Sequence, residues 1–193
     1  MQFQQHTLFH IYNRGNNRQT IFFERENYLY FLFKIRKYLL PHCEILSYCL
    51  MPNHFHLLVY ADDRTKQSVK IGNNDINVLS YGFQNLLSSY TKAINRKFER
   101  TGSLFTQNTK AKALAPVPDG YICLKYIHQN PLKAGLVRDM NDWEFSSFQD
   151  YAGIRNGSLC NQTLANQLLS FDKVQYFKTA HEMVLENDAK RLF

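Results

Sequence analysis

The spacing of apolar side chains along this chain changes several times, and each change marks a new element. From Thr7 to Asn13 apolar and polar residues alternate, with aromatic and β-branched side chains prominent, which predicts a strand. Arg14-Gly15-Asn16-Asn17-Arg18 then reads as a polar loop. Over Arg25 to Leu40 the residues Tyr28, Phe31, Leu32, Ile35 and Leu39 recur at helical spacing, and Pro41 marks the stop. Glu44 to Met51 and His54 to Tyr60 read as two further strands. Only Pro52-Asn53 separates them, so they should form a tight antiparallel hairpin. Ala61 to Asn77 is polar and looks like a loop. Leu79, Phe83, Leu86, Tyr90 and Ile94 mark a long second helix ending near Arg100, with Gly102 as a stop signal. Leu104 to Leu114 can hold a fourth strand. After a break at Ala115-Pro116-Val117-Pro118, Asp119 can cap a third helix, which Pro131 should end. Farther along, Gln162 to Leu169 and Phe171 to Leu185 look helical.

The resulting order, β-α-β-β-α-β followed by a helix, is the split β-α-β pattern of ferredoxin-like folds. An α+β domain is expected: an antiparallel sheet with helices on one face, one further helix, and a small C-terminal helical extension. A length of 193 residues suits one compact domain with a small appendage. No apolar run reaches the roughly 18 residues a membrane helix needs, and the N-terminus lacks a signal-peptide pattern, so no membrane association and a cytoplasmic location are expected. Cys43, Cys49, Cys123 and Cys160 form no Cys-x-x-Cys pair, so free, mostly buried thiols are the plain expectation.

Charge sharpens the picture. The formal net charge is +7, and its distribution is uneven. Residues 64–138 hold 12 basic and 3 acidic side chains, whereas residues 139–193 hold 5 basic and 8 acidic. A concentrated positive field suggests a polyanionic partner, nucleic acid first; a solvated basic surface is the competing explanation.

Two groups of residues could carry chemistry. His54 and His56 lie two apart on a strand, so both imidazoles project from one face and could ligate one cation. Tyr126 and Asn130 lie four apart on the third helix and share a face, so an amide oxygen and a phenol would stand one turn apart. A phenol titrates near pH 10 and is a weak nucleophile at neutral pH. A phosphodiester polarised by a cation is the kind of electrophile it requires, and attack at phosphorus would give a covalent tyrosyl phosphodiester. Imidazole ligands suit Mn²⁺ or Zn²⁺ at least as well as Mg²⁺. Each group also has a plain explanation: polar residues on a solvated strand, a boundary aromatic, and an Asn at a helix end before Pro131.

With these residues in view, Leu50-Met51-Pro52-Asn53-His54-Phe55-His56-Leu57-Leu58 resembles the His-hydrophobic-His signature of the single-tyrosine HUH transposases. Tyr126-Ile127-His128-Gln129-Asn130-Pro131-Leu132-Lys133-Ala134-Gly135-Leu136-Val137 is similar to that family's tyrosine-helix block. His10 to Arg18 and Thr101 to Phe105 resemble the family's first strand and loop and the stretch before its fourth strand. Trp143 to Phe148 resembles a block of the REP-associated tyrosine transposase branch. The resemblance covers about residues 6–153, which sets an expected catalytic domain at 1–153 and an extension at 154–193. It implies Mg²⁺- or Mn²⁺-dependent nicking and strand transfer on hairpin-forming single-stranded DNA, leaving a 5′-phosphotyrosine and a free 3′-hydroxyl. It implies Tyr126 as nucleophile and His54, His56 and Asn130 as metal ligands, and makes a homodimer plausible. Tyr121 is the second choice of nucleophile. The chain departs from the branch at Gln107 to Lys112, where an arginine-bearing stretch is usual.

Weaker candidates for DNA contact are Arg14, Asn16, Asn17 and Arg18 in the first loop, and Arg96, Lys97, Lys110 and Lys112, with Lys92 and Arg100, along a possible backbone channel. His10 could approach the site, though a structural histidine is the simpler expectation. The alternative to a nicking and joining enzyme is a non-catalytic nucleic-acid-binding module on the same fold; a hydrolase using metal-bound water is a third reading.

Overall fold

A computed structural model describes residues 2–193. Among the described residues six strands and seven α-helices follow one another: β1 (Thr7–Arg14), α1 (Arg25–Tyr38), β2 (Glu44–Met51), β3 (His54–Ala61), β4 (Ser68–Ile71), β5 (Asn74–Asn77), α2 (Val78–Lys97), β6 (Lys110–Leu114), α3 (Tyr121–Lys133), α4 (Phe148–Tyr151), α5 (Gln162–Leu169), α6 (Lys173–Thr179) and α7 (Glu186–Lys190). The main sheet is antiparallel, in the order β2-β3-β1-β6. This is the expected α+β split β-α-β arrangement.

The alternation along β1 and β3 divides the core in two. Phe9, Ile11, Phe55, Leu57, Val59 and Ala61 face α1 and α2, where they join Phe31, Ile35, Phe83, Leu86 and Tyr90. Leu8 and Leu58 face the other way and join Cys123, Leu124 and Ile127 of α3, together with Ala165, Leu169, Tyr176 and Leu192 of the C-terminal segment. Both faces of the sheet are therefore covered. The outer edge of β2 is covered as well: Leu50 N–H donates to Phe145 O (2.9 Å) and Ser147 N–H to Tyr48 O (3.0 Å). Closing an edge in this way satisfies backbone groups that would otherwise template another strand. All four cysteines are free and buried.

Several expectations need correcting. The span 61–77 is not a plain loop, because it contains the β4–β5 hairpin. The hairpin is mostly exposed, so no apolar alternation announces it; its turn is the dipeptide Gly72-Asn73, with Gly72 at φ +59°. Such a turn favours residues that tolerate positive φ. Asn77 then caps α2 by accepting from Leu79 N and Ser80 N. The fourth main strand starts at Lys110 rather than Leu104. Leu104 and Phe105 fall outside it: an isolated Gly15–Phe105 bridge ties them to the end of β1, and their side chains plug the α1–α2 core. Asp119 does not cap α3, since its carboxylate pairs with Arg191 at 2.6 Å. Pro131 does not end α3 either. It removes only its own N–H, and the helix runs to Lys133, closing at Gly135 (φ +67°) with Leu136 N–H donating to Pro131 O. In the tail only Lys173–Thr179 of the expected 171–185 helix forms. Ser170 takes a left-handed conformation after α5, and Asp172 starts a new cap.

A buried hub fixes the segment after α3. Asp150 has a 2% exposed side chain and pairs with Arg155, whose guanidinium also donates to Glu144 O, Ser146 O and Tyr48 Oη. Replacing Arg155 with Met leaves a buried carboxylate without its cation, and should destabilise the fold by about 3 kcal/mol in urea denaturation. Wild-type stability in this variant would contradict the assignment.

Candidate metal and nucleic-acid site

Register brings the site together. In the β1–β3 pair, Tyr12 lies opposite His56 and Arg14 opposite His54. Alternation then puts His10, Tyr12, Arg14, His54 and His56 on the sheet face that carries α3. The His54 and His56 ring centroids are 5.1 Å apart. Across the gap, the Tyr126 ring meets His56 edge-on at 5.6 Å and His10 at 6.1 Å. Tyr126 is thus brought against His56 and His10, with His54 beyond His56.

The histidines are held from behind. His54 Nδ1 lies 2.6 Å from Asn53 Oδ1, and Asn53 Nδ2 donates to Arg18 O at 3.3 Å. His56 Nδ1 lies 2.9 Å from His10 Nε2, while His10 Nδ1 lies 3.0 Å from Leu192 O. Burial sets the electrostatics. It lowers the His10 pKa to about 4, against a weaker opposing effect of the Leu192 carbonyl. It also takes His56 well below its ordinary value, helped by the neighbouring imidazoles. His54 is lowered by burial too, with its hydrogen bond to Asn130 opposing and Arg14 reinforcing. All three shifts favour the neutral ring, the form in which imidazole binds a metal.

Asn130 is buried on α3, and its Nδ2 donates to Tyr126 O at 2.8 Å. Its amide also interacts with both His54 and the Tyr126 phenol. Among the described residues no three His, Cys, Asp or Glu side chains converge to hold a metal. A three-donor set here needs the Asn130 amide oxygen beside the two imidazoles. That set is neutral and fits a borderline divalent cation that keeps its charge for an anionic substrate. The Tyr126 phenol itself is shifted upward by burial, first of all, with Asn130 opposing. Lys133 Nζ stands 5.2 Å from the Tyr126 ring centroid and donates to Val184 O.

A cleft of about 720 Å³ opens in front of the histidines. Arg14, Arg18 and Lys110 line it, with Asn53, Asn108, Gln107 and Phe193, and among the described residues no Asp or Glu side chain does. Tyr126 does not line this cleft. The Phe193 ring stands 5.0 Å from Tyr12, 5.4 Å from His10, 5.5 Å from Tyr126 and 6.5 Å from His56. The tail thus reaches the centre of the site.

The other basic candidates are dispersed. Asn16 Nδ2 donates to Ser103 O, and Asn17 is exposed at φ +51° in the turn that presents Arg18. Lys112 is exposed on β6 opposite His10. Arg96 and Lys97 sit on α2, across the sheet from the histidines, and Lys97 pairs with Glu24. Lys92 lines a second groove of about 1090 Å³ between α2 and residues 102–111, which shares Thr106, Gln107, Asn108 and Lys110 with the cleft. The positive excess of residues 64–138 therefore does not gather at one face, and Arg64 in that span is tied to Asp62 and Glu44. Tyr121, the second nucleophile candidate, points to the tail and bonds Thr179 Oγ1 at 3.0 Å. Tyr12 and Asn53 were missed as site residues. Tyr12 could have been found by extending the period-2 rule from His10 across the β1–β3 register. Phe193 carries no such signal.

No protein-family profile and no curated protein matches the sequence. The fold is similar to the solved structure of a REP-associated tyrosine transposase bound to a REP hairpin. The TM-score is 0.59 at 17% identity, covering 83% of this chain and 94% of that one. Among the described residues no helix is long and apolar enough to cross a membrane.

The buried histidines link stability to pH. His10 is held at about 4, and His128, bonded to Ser147 Oγ at 2.7 Å and to Tyr176, at about 3. The unfolded chain takes up these protons near pH 6.5, so the folded state loses stability as pH falls from there toward 4. The melting temperature should drop steadily between pH 7.5 and 5. A flat profile would show that these imidazoles are not buried as neutral groups.

Proposed function

We propose that the chain is a metal-dependent single-stranded DNA nicking and strand-transfer enzyme that uses Tyr126 as nucleophile. One observation carries the reading. The β1–β3 register and α3 bring two neutral imidazoles, an amide and a phenol together beside a cleft whose charged side chains are Arg14, Arg18 and Lys110. The fold shared with a hairpin-bound tyrosine transposase supports it.

The residues divide the work. Arg14, Arg18 and Lys110 hold phosphates of a single strand along the cleft, and the strand's folded hairpin provides register. His54, His56 and Asn130 would hold Mg²⁺ or Mn²⁺, which supplies charge neutralisation at the phosphodiester. The Tyr126 phenol gives its proton to water and attacks phosphorus. The Tyr126 Oη–P bond forms as the P–O3′ bond breaks, and the departing 3′-oxygen takes up a proton. The products are a 5′-phosphotyrosine and a free 3′-hydroxyl, which can attack in reverse to rejoin strands. The upward shift of the phenol makes proton removal the costly part of this step, and Asn130, which favours the ionised form, reduces it.

Incubation with labelled single-stranded hairpin DNA and Mn²⁺ should give a covalent adduct that is lost in Tyr126→Phe. An undiminished adduct in that variant would remove Tyr126 from the mechanism. Hairpin affinity retained with no adduct under any condition would make the chain a binding module.

Arg18→Ala and Lys110→Ala should each weaken hairpin binding. Each should also reduce the slope of log affinity against log salt by about 1 if one phosphate contact is lost. Lys110 borders both the cleft and the groove beside Lys92, so Arg18→Ala is the deciding variant: an unchanged slope there would move the DNA path to that groove.

A further inference from the structure

Each site histidine is backed by a relay that ends on a backbone carbonyl. A carbonyl oxygen only accepts, so it fixes the direction of every hydrogen bond in its relay. Leu192 O accepts from His10 Nδ1, so the proton of the neutral His10 ring is on Nδ1 and His10 Nε2 is a lone pair. That lone pair, 2.9 Å from His56 Nδ1, accepts a hydrogen bond from it, so His56 is the Nδ1–H tautomer. On the other side Arg18 O accepts from Asn53 Nδ2, which turns Asn53 Oδ1 toward His54. At 2.6 Å that oxygen accepts from His54 Nδ1, so His54 is the Nδ1–H tautomer as well. A reversed Asn53 amide would set its oxygen against the Arg18 carbonyl and its NH₂ against the ring.

We infer that His10 and Asn53 are positioning residues that lock His56 and His54 in the one tautomer that leaves Nε2 unprotonated, as a ligand lone pair, on each ring. On His54 that nitrogen is the one turned to the Asn130 amide. The inference rests on the metal-centre reading for what Nε2 faces, but the tautomers stand on hydrogen bonds alone. Isolated neutral imidazole divides between two tautomers, and a ligand in the wrong one must shift its proton before it can bind. Partners behind a ligating histidine remove that cost and fix the ring. His10 and Asn53 come from β1 and from the β2–β3 turn, so the two ligands are set independently.

The test uses the full chain labelled with ¹⁵N-histidine, free of metal and DNA. Long-range ¹H–¹⁵N correlation should show His54 and His56 both as Nδ1–H. In His10→Phe, which keeps ring volume but not the acceptor, His56 alone should lose that preference; in Asn53→Leu, His54 alone. Mn²⁺ affinity should fall about 10–100-fold in each. His10→Gln and Asn53→Asp, which restore an acceptor oxygen, should recover most of it. An Nε2–H tautomer for either histidine in the wild-type chain overturns the inference, as does unchanged Mn²⁺ affinity in His10→Phe and Asn53→Leu. A wild-type chain with both Nδ1–H tautomers that binds no Mn²⁺ refutes the metal centre while upholding the tautomer assignment. Two variants on separate elements keep the test decisive if one of them misfolds.

Discussion

The pairing of β1 with β3 is the constraint on which the site depends. These are the two central strands, and their register sets Tyr12 against His56 and Arg14 against His54. A slip of one residue would turn both histidines into the α1–α2 core and bring Phe55 out to the cleft. The slip is prevented by what lies on the opposite face. Phe55, Leu57 and Ile11 are fully buried there, and burying three such side chains contributes on the order of several kcal/mol. The apolar face therefore positions the polar one. The two-residue turn at Pro52-Asn53 adds a second anchor, since it fixes where β3 begins and also supplies the residue behind His54.

Desolvation gives this face its chemical character. α3 and the tail cover it closely enough that burial disfavours protonation of His10 and His56, and the charged side chains edging the cleft in front are the cations Arg14, Arg18 and Lys110. Neutral donors beside fixed positive charge suit an anionic ligand bridged by a cation better than they suit a proton-transfer site. The same burial raises the Tyr126 phenol, so the site combines ready ligands with a nucleophile that needs activation. The tail belongs to this environment, because Leu192 O orients His10 and Phe193 packs against four of the site's rings.

What was legible in the sequence follows from physical range. Short-range periodicity identified β1, β2, β3, α1, α2 and α5 nearly to their ends, because each buries one regular face. The hairpin β4–β5 was hidden because it buries almost nothing, leaving Gly72-Asn73 as its sole signal. Asp119 was misread for a different reason: a capping residue is recognised from its neighbours, whereas its actual partner, Arg191, is far along the chain. Pro131 was overrated because its effect was judged as a break rather than as the loss of one hydrogen bond near a helix end. Within the site, same-face relations on a single element were visible: His54 with His56, Tyr126 with Asn130. Relations across elements were not. The even spread of positive charge over residues 64–138 likewise hid how few of those side chains reach the cleft, and that two of its three cations, Arg14 and Arg18, precede that span.

The account turns on one claim: that His54 and His56 act together on a single cation. Pulsed electron paramagnetic resonance of the Mn²⁺-loaded chain tests it directly. Two imidazole ¹⁴N couplings are expected, one of them lost in His54→Ala and one in His56→Ala, with the protein still folded by circular dichroism. Mn²⁺ bound without any imidazole ¹⁴N coupling, or couplings unchanged in both variants, would contradict the claim.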